Sequence, residues 1–92
     1  MHFQRGQVVW SRAGHDKGSF FIVLSTDGEF AYIADGRGRT IASPKKKKLI
    51  HLGGTHTVLE EQMLCSDSSI RKAADAFNHK ALRALPGGND IV

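Results

Sequence analysis

The stretch Gly6–Leu24, GQVVWSRAGHDKGSFFIVL, decides the fold. Two runs with strand character, Gln7–Arg12 and Phe20–Ser25, flank a polar loop that holds Gly14, His15, Asp16, Lys17 and Gly18. Valine, tryptophan, phenylalanine and isoleucine favour a pleated, half-buried surface. A loop with glycine at both ends can take backbone angles closed to other residues. The reading is strand, basic loop, strand, with Gly14 and Gly18 expected at those special angles. Trp10 lies in phase with Val8, which points it toward a core. Phe20 and Phe21 point to opposite faces of their strand, so one is core and the other, like Tyr32 further on, is a candidate stacking platform for a nucleobase.

Outward from that stretch, Ser25-Thr26-Asp27-Gly28-Glu29 sets Asp-Gly between two apolar runs and predicts a tight hairpin into a third strand, Phe30–Ala34. Asp35-Gly36-Arg37-Gly38-Arg39 predicts a turn from which Arg37 and Arg39 project. Thr40-Ile41-Ala42 predicts a short fourth strand, stopped at Ser43-Pro44 because proline cannot donate to a sheet ladder. The run Lys45–Lys48 follows, and then Leu49–Leu52 as a segment that can close a barrel. The composition shifts at Gly53-Gly54, read as the boundary between a unit of residues 1–52 and an appendage of residues 53–92. Thr55–Cys65 stays open: Val58-Leu59 and Met63-Leu64 are apolar pairs at helical spacing, while Thr55–Leu59 suits an edge strand equally. Beyond it, Ser66 or Asp67 can cap a helix over about residues 66–85, in which Ile70, Ala73, Ala74, Phe77, Ala81, Ala84 and Leu85 share one arc. Lys72, His79 and Arg83 lie opposite, and Pro86-Gly87-Gly88 is the expected stop, with the last four residues frayed. Such an apolar arc needs cover, from the sheet or from a partner.

Ninety-two residues at 40% hydrophobic leave room for one domain with a small core. The formal charge of +4 favours a polyanionic partner, and its distribution is uneven. Residues 1–52 carry nine Lys/Arg against four acids, net +5, whereas residues 53–92 carry four against five, net −1. A single cysteine, Cys65, allows no intramolecular disulfide, and no apolar run approaches the length of a membrane span. Met1-His2-Phe3-Gln4-Arg5 lacks the apolar stretch of a secretory signal, so the expected location is cytoplasmic.

Gly6, Val8, Ser11, Ala13-Gly14, Asp16-Lys17-Gly18 and the apolar run Phe21–Leu24 together resemble a KOW motif. Ala34-Asp35-Gly36-Arg37 and Pro44-Lys45-Lys46-Lys47-Lys48-Leu49-Ile50-His51-Leu52 resemble its continuation in KOW proteins of the large ribosomal subunit and their small bacterial relatives, so the likeness spans roughly residues 5–52. It implies a mostly β, small SH3-like barrel, here followed by a C-terminal helix. It also implies a non-enzymatic role in binding structured RNA, often ribosomal. Related KOW modules serve transcription elongation and bind protein, so the alternative is a protein-interaction module of the translation or transcription machinery, with the amphipathic helix docking in a partner's groove.

The residues that would carry RNA binding are basic. Lys45, Lys46, Lys47 and Lys48 are adjacent ammonium groups that can neutralise phosphates and release their counterions, although lysines also guard a sheet edge against pairing. Arg37 and Arg39 can bind phosphate bidentately and stack on an exposed base. Arg12, His15 and Lys17 sit at or inside the first loop, where the glycines let the backbone approach a sugar-phosphate chain. His51, His56 and Cys65 match no zinc-finger spacing, and a nucleophilic Cys65 with His56 or His79 has no flanking motif. Asp27, Glu29, Glu60 and Glu61 form no acid/base pair. No metal, cofactor or catalytic constellation is expected.

Overall fold

The fold is that of a computed structural model, described for residues 2–83. Five strands follow in chain order: β1, Gln7–Ser11; β2, Phe20–Asp27; β3, Phe30–Ala34; β4, Lys45–Lys48; and β5, Leu52–Val58. A helix, α1, spans Asp67–Arg83, and single 3-10 turns occupy Leu49–His51 and Glu61–Leu64. The strands form one antiparallel sheet in the order β4-β3-β2-β1-β5. Its two edges, β4 and β5, are consecutive in the chain and joined by the 3-10 turn Leu49–His51. The sheet therefore curls into the small barrel-like form expected, mostly β with one C-terminal helix.

Both faces of the sheet are covered over Phe21–Leu24, which is why Phe21, Ile22, Val23 and Leu24 are all buried and this part of β2 reads as a continuous apolar run. The inner face gathers Val9, Phe21, Val23, Ala31, Ile33, Leu49 and Leu52, with Phe3 packed against them. The outer face gathers Val8, Ile22, Leu24 and Ala34 beneath Leu64 and Ile70. Ile22, Ile33, Leu52, Ile70, Val8, Val9 and Val23 are almost wholly removed from water, each burial favouring the fold by about 1.5–3 kcal/mol before entropy is set against it. Helix α1 supplies the outer cover. Ser66 caps it by accepting a hydrogen bond from the Ser69 N–H at 3.2 Å, as a serine at that position should. Ile70 and Ala74 are buried, Ala73 and Phe77 pack at the margin, and the Phe77 ring lies 5.4 Å from that of Phe20. The Phe20 N–H donates to Asn78 Oδ1 at 3.1 Å. From Ile70 to Phe77 the apolar arc of the helix is thus spent on the sheet. Ala84, Leu85, the stop at Pro86-Gly87-Gly88 and the frayed end lie outside the described residues, as do the side chains of Ala81 and Arg83.

Three boundaries differ from expectation. Thr40-Ile41-Ala42 is not a strand: the Ile41 N–H donates to Asp67 Oδ1 at 2.8 Å, the Ser43 N–H turns back to the Thr40 carbonyl at 3.1 Å, and the Ile41 side chain packs beside α1. The fourth strand is the lysine run itself. The boundary expected at Gly53-Gly54 falls inside β5, which pairs with β1 along Gln7–Ser11. The glycines are there because aromatic rings occupy their side-chain positions. The Trp10 ring lies where a Cβ on Gly53 would stand, and the Phe3 ring would come within 2.8 Å of one on Gly54. Trp10 is accordingly half-buried against β5 rather than in the barrel centre.

Candidate nucleic-acid interface

Four lysines in a strand cannot all face the same way, because successive side chains alternate between the faces of a sheet. Lys45 and Lys47 stand opposite Ile33 and Ala31 on the inner side, and Lys46 and Lys48 stand opposite Tyr32 and Phe30 on the outer side. The expected exposed run of four is therefore corrected to two outward ammonium groups. Lys47 is only 9% exposed, while Lys46 and Lys48 are open to solvent.

The inward pair is held by Asp16 of the first loop. Lys47 Nζ donates to Asp16 Oδ1 at 3.0 Å and to the Ala13 carbonyl at 2.7 Å, and the Ser11 hydroxyl donates to the same Oδ1 at 2.7 Å. Lys45 Nζ lies 2.9 Å from Asp16 Oδ2, a charge contact rather than an aligned hydrogen bond. Burial pushes the Asp16 carboxyl up, but the Lys45 ammonium, the Ser11 hydroxyl and the Lys47 ammonium outweigh it and hold the group well below the usual carboxylate range. Gly14 and Gly18 bracket this loop at φ 88° and 90°, where a side chain would be strained. The loop is also tied to the 3-10 turn, since the Arg12 N–H donates to the His51 carbonyl at 2.8 Å.

Arg12, His15 and Lys17 are exposed on that loop, with the Arg12 guanidinium 5.7 Å from the centre of the Trp10 ring, within cation–π range. The Arg37/Arg39 turn is organised by Asp35, whose Oδ1 accepts from the Arg37 N–H at 2.9 Å and the Arg39 N–H at 3.1 Å. Arg39 projects into water. Arg37 is exposed too, but its guanidinium forks onto Asp75 of α1 at 2.8 and 3.4 Å, and holds that carboxyl below its ordinary range. Such a surface pair carries little energetic weight. Among the described residues Arg12, Lys17, Arg39, Lys46 and Lys48 make no ion pair.

Two participants escape the reading of the sequence. Asp16 stands there as part of a motif rather than as the anchor of the inward lysines, and Phe30 only as the start of a strand. Lys46 Nζ sits 4.4 Å from the centre of the Phe30 ring. The signal that could find it is the alternation of Phe30-Ala31-Tyr32-Ile33, aromatic then aliphatic, which sorts the facing lysines once the strands are paired. Of the candidate stacking aromatics, Phe21 is core and Phe20 rests on Phe77, which leaves Tyr32 at the surface. A shallow pocket of about 230 Å³, lined by Gly28, Glu29, Lys48, Leu49 and Ile50, lies at the near end of β4.

Among the described residues no group of three His, Cys, Asp or Glu side chains could hold a metal ion. No helix there is long and apolar enough to cross a membrane. The class that fold and surface define is a small, curled antiparallel sheet with a covering helix and an outward basic face. No protein-family model matches the chain, and no curated protein matches it.

Proposed function

We propose that this chain is a non-enzymatic RNA-binding protein of the cytoplasm, holding the phosphate backbone through Lys46, Lys48, Arg39 and the first-loop side chains Arg12, His15 and Lys17. Ribosomal RNA is the preferred target because of the KOW resemblance. The observation that carries the reading is the pairing of Lys46 and Lys48 with Tyr32 and Phe30 on one outward face, cations for phosphate beside rings for bases. Lys45 and Lys47 serve instead by fixing the first loop through Asp16, and Arg37 contributes once Asp75 releases it. An exposed, lone Cys65 suits a reducing compartment.

The test is equilibrium binding of the full chain to RNA across a salt series. Affinity is expected to fall steeply with salt, and changing Lys46 and Lys48 to alanine should reduce the log–log slope by about 1.4, or 0.7 per lost contact on a single strand. An unchanged slope removes these lysines from the interface; no binding at low salt overturns the proposal. Cosedimentation with ribosomes at low salt, lost at high salt, tests the ribosomal target.

A further inference from the structure

We infer that the outer face of β3 and β4 is a binding site for an unpaired nucleotide, with Tyr32 as the stacking platform and Lys46 and Lys48 as the holders of its flanking phosphates. This rests on the RNA-binding reading and names the form of RNA taken. The outer face of the sheet has two parts. Over Val8, Ile22 and Ala34 it is covered by Leu64 and α1. Tyr32 and Phe30 continue the same face of β3 beyond that cover, both half-buried, and their partners across the ladder are Ser25 and Asp27 on β2 and Lys46 and Lys48 on β4.

The rings in this patch are not equivalent. The Lys46 ammonium caps Phe30, an arrangement that fixes the direction of a flexible side chain. Tyr32 carries no such cap, and among the described residues its hydroxyl makes no hydrogen bond. Lys46 and Lys48 are two residues apart on one strand, about 6.7 Å, on the scale of one step between phosphates of an extended strand. The charge is complementary to a backbone on the β4 side, while Asp27, exposed beside Phe30, disfavours a phosphate on the β2 side. A strand of RNA would therefore run along β4 with a base turned in over Tyr32. In a duplex the base faces are already stacked on one another, so a ring platform favours an unpaired nucleotide.

The experiment uses the full chain with a short uridine oligomer, the same strand in a duplex, and inorganic polyphosphate as a polyanion without bases. Tyr32 is the sole tyrosine, so its ring signals in a nuclear magnetic resonance spectrum are unambiguous. The oligomer should move them upfield by ring-current shielding, and polyphosphate should not. Tyr32→Leu, which keeps an apolar side chain in the strand, should weaken oligomer binding roughly 5- to 150-fold while leaving polyphosphate binding unchanged, and Tyr32→Phe should retain it. Oligomer binding with unmoved Tyr32 signals, equal losses for oligomer and polyphosphate, or tighter binding of the duplex would each overturn the platform yet leave RNA binding standing. If the unaltered chain binds none of the RNAs, the platform and the proposed function fail together.

Discussion

Lys47 keeps a charged ammonium in a side chain only 10% exposed, a placement whose desolvation cost needs a paired counter-charge, and Asp16, at 16%, supplies it. Asp16→Asn preserves shape and the capacity to accept from Ser11 but removes the charge, leaving Lys47 with neutral partners. The expected cost is about 1–3 kcal/mol, read as a lower denaturant midpoint at neutral pH. The same change frees Lys45, so a steeper salt dependence of RNA binding should accompany the loss of stability. The pH dependence has a definite sign. Because the folded carboxyl titrates below its ordinary 3.8, its contribution is fully present above that value and is lost as pH falls from there toward the lower, folded value. An acid titration of the Asp16→Asn variant should lack this component; identical acid curves for the two proteins would show that Asp16 is not paired in solution.

At the scale of elements, the strand Phe30–Ala34 is legible in the sequence, while the lysine run of β4 and the glycine pair inside β5 are not. Phe30–Ala34 is legible to the residue, and the helix start at Ser66-Asp67 and the Asp27-Gly28 hairpin follow from local capping and turn chemistry. Lys45–Lys48 carries no internal alternation, so nothing in it separates a strand from a loop or an inward lysine from an outward one; only the pairing with β3 does. Gly53-Gly54 misleads for a related reason. Glycine signals a linker when nothing packs on it and a close approach when a ring does, and the rings, Trp10 and Phe3, are more than forty residues away in sequence. The two kinds of glycine can be told apart by experiment. Gly18→Ala meets no neighbouring atom and strains only a backbone at φ 90°, so it should cost about 1–2 kcal/mol. Gly53→Ala must displace the Trp10 ring, at about 3 kcal/mol, and since Trp10 is the single tryptophan, its fluorescence should shift to the red in that variant alone.

For the molecule as a whole, the charge asymmetry between residues 1–52 and 53–92 suggests two separable parts, but the packing does not divide there. Among the described residues β5 is the strand paired with the outer edge of β1, and it begins at Leu52. Leu64 and Ile70 cover Val8, Ile22, Leu24 and Ala34, which without them would form an exposed apolar face. A domain this small has little stability in reserve. Residues 1–52 on their own are therefore expected to lack a cooperative fold, seen as poor amide dispersion and no thermal transition, and any RNA affinity they keep should be the shallow, sequence-independent attraction of an unfolded basic chain. The helix contribution can be weighed without truncation. Ile70 is fully buried, so Ile70→Ala in the full chain should cost about 2–5 kcal/mol, whereas Lys72→Ala on the exposed side of the same helix should cost almost nothing. A well-dispersed spectrum from residues 1–52, together with a small effect of Ile70→Ala, would show that the barrel stands alone and that β5 and α1 are additions to it. A large effect of Ile70→Ala, with residues 1–52 unfolded, makes the acidic half a structural support for the basic half: it orders the sheet on which Lys46, Lys48 and Tyr32 are displayed.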